Sequence, residues 1–350
     1  MLMIRVIVVV LTAMSPVVAA EDSPHATKGG AKPQATHARV PGKTWEKVAS
    51  LIDAGWSKEL LGETRAYSKR IGNLAVMIVE DGLVVDSWGD VTRETIVQSV
   101  RKSFMNALYG IAVSKKQIKL GATLYELGID DAHPRLNRSE KQATVRDLLK
   151  SMSGVYHAAA STPDHIKRVM PKRGSHKHGE FWFYNNWDFN ALETIYEKCT
   201  GADIYDAFHR LIAKPLGFED FTPADGEVRR EPVSIHAAHH FSMSARDMAR
   251  FGLLYLRNGK WGGRQIIPAK WIKQSTRAYS GDDREGYGYL WWIQHRIRGF
   301  AARGGDAQLI LVVPDRNLVF VTQVDRHDRR VPNWNEIGQL LSLVLKAKTG

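Results

Sequence analysis

Phe300 to Val324, FAARGGDAQLILVVPDRNLVFVTQV, holds three apolar, largely β-branched runs separated by two turn signals, Gly304-Gly305-Asp306 and Pro314-Asp315-Arg316-Asn317. Glycine, Asp and Asn supply the backbone conformations of tight reversals, so the stretch predicts three consecutive strands. Three strands cannot close a core alone and need partner strands and a covering layer. Partners stand at the other end of the chain. Leu74 to Gly89, LAVMIVEDGLVVDSWG, is a strand pair about Asp81-Gly82, a dipeptide suited to the positive φ of a type I′ hairpin. Strands at both ends with helical patterns between them predict an α+β architecture. One antiparallel sheet is built from both chain ends, with helices packed on it and a mainly helical region inserted in the middle.

The helical patterns carry start signals. TVRDLLKSMSG offers Thr144 as N-cap with Asp147 three residues on. SARDMARFGLLYLRNGKW repeats the device with Ser244 and Asp247, aligns Met248, Phe251 and Tyr255 on one stripe, and stops at Gly259. Near the end, Ile337, Leu340, Leu341, Val344 and Leu345 share one helical face. The expected domain is 44–347, its sheet region about 44–98 and 285–347 and its helical region about 99–284, with order beginning near Trp45. At 44% hydrophobic residues the chain can bury a sizeable core.

Ahead of this domain, MLMIRVIVVVLTAMSPVVAAED combines one arginine, a short apolar run and Val18-Ala19-Ala20. That pattern predicts a signal peptide over 1–20, cleaved after Ala20, rather than a spanning helix. Residues 21–43 are polar and bear Pro and Gly, as a flexible linker does. The expected location is therefore exported, periplasmic or secreted, without stable membrane insertion after signal removal. Cys199 is the single cysteine, which excludes an internal disulfide and a multi-cysteine metal site, and its helical setting predicts burial. Lys and Arg number 49 against 37 for Asp and Glu, a net charge of +12, yet the positive residues are spread along the chain. No run resembles a nucleic-acid arm, so no nucleic-acid partner is expected.

Two short patterns carry chemistry. In QSVRKSF, Ser99 and Lys102 lie three apart in a segment that reads as helical, where such residues share a face. A chain of this length shows about one Ser-x-x-Lys by chance, and a solvated helix surface is the bland alternative. Downstream, GEFWFYNNWDFNALETIY contains the single Tyr-x-Asn of the chain, Tyr184-Asn185-Asn186, which alone reads as an aromatic-rich loop before a helix. The glycine-rich ARGGDAQ follows near the C-terminal end.

In this order and spacing the chain resembles the serine β-lactamase and penicillin-binding-protein superfamily. It is closest to the class C-like branch of β-lactamase-related esterases, amidases and D-amino-acid peptidases. The resemblance runs from about Trp45 to the end, and TVRDLLKSMSG, SARDMARFGLLYL and GYGYLWW, Gly286 to Trp292, also match. It implies a serine hydrolase that cleaves a small ester, amide or peptide through a Ser99 acyl-enzyme. Lys102 and Tyr184 share the general-base role, either as a deprotonated amine or as a phenolate beside a charged lysine. Asn186 would hydrogen-bond Lys102 and the acyl side of the substrate. The backbone N–H groups of Ser99 and Asp306 would form the oxyanion hole, with Gly304 and Gly305 letting substrate lie against the strand.

One departure is plain. Arg303-Gly304-Gly305 stands where the family has Lys-Thr-Gly or His-x-Gly, which counts against true β-lactam turnover. No Glu is placed as the class A deacylation base, and Tyr184 would activate water instead. Arg303, with Lys167, Arg168, Lys172, Arg173 and Lys177 in the loop leading to Tyr184, predicts a preference for anionic acyl substrates. His236, His239 and His240 cluster, as do His176 and His178, without a zinc-binding pattern, so they are expected as loop histidines and no metal or cofactor is implied. A class C-type β-lactamase or D-amino-acid peptidase is the alternative enzyme. A sensor on the same fold, acylated and never released, is the alternative of another class. Substrate identity and oligomeric state are open.

Overall fold

The two strand-rich ends meet in one sheet. The computed structural model describes residues 39–132, 134–327 and 330–350. The expected signal peptide and most of the expected linker lie outside them. Packing begins slightly before Trp45, since the carbonyls of Gly42 and Lys43 accept hydrogen bonds from Arg250, each at 3.1 Å.

Strands β1 (Ala75–Glu80) and β2 (Leu83–Gly89) form the N-terminal hairpin. Asp81 and Gly82 take φ of 52° and 80° at its turn, as expected of Asp-Gly. Strands β3 (Thr95–Ile96), β4 (Gly226–Arg229) and β5 (Ala238–Met243) make a small sheet in the order β3-β5-β4, and β6 (Lys260–Trp261) with β7 (Arg264–Gln265) makes a ribbon. Strands β8 (Ser280–Gly281), β9 (Glu285–Tyr287), β10 (Trp292–Gln294), β11 (Gly299–Gly304), β12 (Gln308–Val313) and β13 (Leu318–Gln323) complete the main sheet. Its order is β2-β1-β13-β12-β11-β10-β9-β8, antiparallel throughout, so the C-terminal strand β13 pairs with β1 in its middle. The inserted region thus carries strands as well as helices. His239 and His240 lie buried on β5, not in a loop as expected.

Both sheet faces are covered, which explains why β12 and β13 read as apolar runs without alternation. On the outer face Leu309 and Leu311 pack with the Lys58–Ile71 helix and the C-terminal Trp334–Ala347 helix, whose Ile337, Leu340, Leu341 and Val344 are buried. On the inner face Ile310, Val312, Val319 and Val321 meet the Ala245–Leu256 helix through Met248 and Phe251. Both N-caps read from sequence form locally, but only Thr144 closes a capping box, since the Asp247 carboxylate accepts from the Glu219, Asp220 and Phe221 amides instead. Thr144 accepts from the Asp147 amide while the Asp147 carboxylate accepts from the Thr144 amide, and Ser244 accepts from the Asp247 amide. Each such cap stabilises its helix by about 1 kcal/mol. Cys199 is only half-buried at the end of the Asn186–Thr200 helix, short of the burial expected.

Candidate active site

Ser99 sits where the small sheet hands over to the central helix. β3 is held to β5 by the Ile96–Ser242 pair, and the Val97 amide donates to the Phe241 carbonyl at 3.0 Å. Gln98 then takes a left-handed backbone, φ 52°, and a single 3₁₀ turn, Gln98–Val100, leads into the Arg101–Ser114 helix. That helix is buried from Arg101 to Ala112, so polar residues on it must find partners inside the protein. Arg101 is paired with Glu193 and also donates to Asn190 Oδ1 at 3.1 Å, both on the Asn186–Thr200 helix.

The expected Ser99–Lys102 contact is present, with Lys102 Nζ 2.6 Å from Ser99 Oγ. Lys102 is 3% exposed. Its amine lies over the Tyr184 ring at 4.9 Å and the Phe189 ring at 4.7 Å from the centroids. Burial, aided by the Arg101 charge and opposed by Glu193, holds its pKa well below the usual lysine range. Tyr184 joins the same pair. Burial pushes its phenol up to about 12, while the hydrogen bond with the Ser99 hydroxyl and the Arg101 charge pull the other way.

Tyr184 belongs to a loop, and residues not singled out from the sequence hold that loop in place. The Ser151 hydroxyl donates to the Phe183 carbonyl at 2.6 Å and accepts from the Asn185 amide at 3.0 Å, and the Phe183 amide donates to the Ser151 carbonyl at 3.1 Å. Asn185 Nδ2 donates to the Val155 carbonyl at 2.6 Å and to Asp188 Oδ1 at 2.9 Å. Ser151, in the tail of TVRDLLKSMSG, is therefore the bracket that fixes Tyr184 beside Ser99. Its signal was in the sequence, but only as a helix and its stop.

Asn186 opens the next helix, and its side chain is bonded differently from expectation. Nδ2 donates to the Ser161 carbonyl at 2.9 Å, and buried Oδ1 has no partner among the described residues, so no bond joins Asn186 to Lys102. Ser161 in turn meets His240, whose Nε2 lies 3.0 Å from Ser161 Oγ. Burial, with the charges of Arg101, Arg229 and Lys102, pushes His240 down to about 2. The other histidines of this group also have protein partners, His236 with Thr194 and the Asp130 carbonyl, and His239 with Glu193.

The turn after β11 lies against the Ser99 segment. A Cβ on Gly304 would stand 2.3 Å from the Val97 carbonyl oxygen, so only glycine permits this approach. Gln98 Nε2 donates to Asp306 Oδ2 at 3.1 Å, tying the two segments, and Asp306 also faces Arg326 at 3.5 Å. Gly305 is exposed beside Gln98.

Arg303 is placed otherwise than expected. Side chains alternate along a strand. Ala302 faces the inner core with the Arg101–Ser114 helix, whereas Ala301 joins the outer core under the C-terminal helix, and Arg303, two residues on, shares the side of Ala301. Its guanidinium is bound by Glu285 Oε1 at 2.6 Å and Gln294 Oε1 at 2.8 Å, and it packs on the Trp292 and Trp334 rings at 5.5 and 5.3 Å. It is neutralised and turned from the Ser99 side, so it supplies no basis for an anionic-substrate preference. In the basic loop, Arg173 is held by Glu140 at 2.7 Å and Lys167 by Asp164 at 3.3 Å, which leaves less free charge than the sequence suggested.

Comparison with known proteins places the fold. The family model described as Beta-lactamase matches residues 48–338. An uncharacterized protein of Alkalihalophilus pseudofirmus is 24% identical over 259 residues, 64% of this chain and 71% of that protein. Among solved structures, a Bacillus anthracis protein assigned as a 6-aminohexanoate-dimer hydrolase superposes with a TM-score of 0.65 at 18% identity, covering 87% of each chain. EstCE1, a hydrolase with promiscuous acyltransferase activity, gives a TM-score of 0.60 at 16% identity over 86% of this chain and 100% of its own. A penicillin-binding-protein homologue of Pyrococcus abyssi, octameric in its structure, gives 0.60 at 18% identity over 82% and 77%.

Proposed function

We propose that this chain, which belongs to the beta-lactamase family, is an exported serine hydrolase that cleaves an ester or amide bond through a Ser99 acyl-enzyme. The observation that carries this reading is the buried Lys102 amine 2.6 Å from the Ser99 hydroxyl. A serine hydroxyl must lose its proton as it attacks, and an amine whose pKa burial holds well below the usual lysine range is suited to accept that proton. Ser99 Oγ bonds to the carbonyl carbon, the proton passes to Lys102, and charge collects on the carbonyl oxygen. Support for an oxyanion hole from the Ser99 and Asp306 amides is the close seat of Gly304 against Val97. One such donor contributes about 10²- to 10³-fold in rate.

Tyr184 keeps its proton at neutral pH, since burial pushes it to about 12. It therefore serves first as a donor to the leaving alcohol or amine, with Lys102 returning the proton to the phenol. Water then attacks the Ser99 ester and gives its proton to the same pair, releasing a carboxylic acid and restoring Ser99. Support for export is the leader-like segment 1–20.

Intact-mass measurement of the purified protein, before and after a fluorophosphonate probe, tests both parts. The mature chain is expected to begin at Glu21, and one adduct is expected on Ser99. Ser99→Ala should lose labelling and turnover, and a variant retaining more than about a thousandth of the activity overturns the covalent mechanism. An acyl adduct that persists for hours on wild type assigns the protein as a sensor instead.

A further inference from the structure

Arg303 lacks the role its position suggested, yet it is not idle. Its guanidinium packs on the Trp292 ring at 5.5 Å, and Trp292 stacks on Tyr184 with centroids 5.4 Å apart and planes 24° from parallel. The Tyr184 ring in turn lies under Lys102 Nζ at 4.9 Å. A continuous line of ring contacts thus runs from a partly buried ion pair on the outer face of the sheet to the proposed proton-transfer group beside Ser99. Trp292 sits where the two cores meet and packs against both. Its other ring neighbours, Trp182 at 5.9 Å and Tyr287 at 5.1 Å, approach edge-on, so Tyr184 is its stacked aromatic partner.

We propose that Arg303, clamped by Glu285, is a positioning residue that fixes Trp292 and through it the plane of Tyr184. The physical need is clear from the surroundings of Tyr184. The backbone hydrogen bonds of its loop belong to Phe183 and Asn185, the phenol meets the Ser99 hydroxyl at its tip only, and the ring packs against Trp292, Phe189 and Tyr287. A guanidinium over an indole ring helps hold that indole, because charge–quadrupole attraction adds to the van der Waals contact. The carboxylate of Glu285 and the Gln294 side chain at 2.8 Å hold the guanidinium in turn. An error of about 1 Å in a proton-transfer group is enough to lose about 10²-fold in rate.

This inference rests on the reading of Ser99, Lys102 and Tyr184 given above, and the test separates the two. Arg303→Met is expected to lower kcat on p-nitrophenyl butyrate about tenfold with KM within about twofold, and to slow fluorophosphonate labelling of Ser99 by the same factor. Arg303→Lys, which keeps a cation for Trp292 and Glu285, should recover most of the rate. In a Tyr184→Phe background Arg303→Met should add little further loss, because its effect passes through the phenol. An equal loss in both backgrounds, or an unchanged kcat with only a lower Tm, overturns the proposal. Should Arg303→Met not fold, Glu285→Gln carries the same comparison at constant volume. Failure of the underlying reading would show separately, as labelling and turnover that survive Ser99→Ala.

Discussion

At the scale of single residues the proposed mechanism rests on contrast between a buried lysine and a partly buried tyrosine. Burial moves the lysine and the tyrosine in opposite directions, because each is driven toward its neutral form. In the proposed mechanism the lowered pKa suits Lys102 to accept a proton and the raised one suits Tyr184 to donate one. The kcat/KM profile should therefore rise with pH on one limb whose midpoint lies well below 10.5, as the Lys102 ammonium loses its proton. Tyr184 should add no second limb below about 12. Tyr184→Phe is expected to lower kcat about 10²-fold while leaving the limb in place. A limb that vanishes in that variant assigns the base role to the phenol.

At the scale of elements, two helices and strand β5 are locked together around the site. Arg101 and Glu193, with side chains 2% and 1% exposed, join the nucleophile helix to the helix that starts at Asn186, and His239 on β5 reaches the same carboxylate through Nδ1 at 3.2 Å. A buried pair of this kind matters most when half of it is removed. Glu193→Gln leaves the Arg101 charge without its counter-ion and should lower unfolding free energy by about 3 to 5 kcal/mol in urea titration. Glu193 also raises the Lys102 pKa, so in the folded variant the limb of the pH profile should move to lower pH. A shift to higher pH, or stability equal to wild type, would show that Glu193 does not govern this corner.

At the scale of the whole molecule, the chain ends that build the sheet also cover it. Ile337, Leu340, Leu341 and Val344 of the C-terminal helix are buried against β12 and β13 on the face opposite Ser99. Each such side chain contributes about 2 kcal/mol, and four together match much of the ~5–15 kcal/mol that holds a domain folded. Deleting 334–350 should therefore give a chain with no cooperative thermal transition by circular dichroism, although the site residues remain. A truncated chain that melts cooperatively and turns over substrate would show that the outer layer is dispensable. The Ser99 site depends on this layer for a second reason, since Trp334 lies against Arg303.

What the sequence alone determined is what short-range chemistry controls. Asp81-Gly82 made its hairpin, Thr144 and Ser244 capped their helices, and Ser99 met Lys102, because each is settled within a few residues by backbone preference and helical spacing. Ordered motifs far apart in the chain were enough to bring Tyr184 into the same site. The direction of Arg303 was beyond local signals. Its strand is apolar on both faces, so no alternation marks which side meets the nucleophile, and only the packing of one helix layer on each face sets the phase. The same holds for Ser151, whose bonds to the Tyr184 loop span more than thirty positions, and for His239 and His240, which became strand residues through pairing between β4 and β5. Tertiary structure decided those outcomes because a side chain's partners across a sheet or between helices are chosen by which layers close over it, a property of the whole chain and not of any stretch within it.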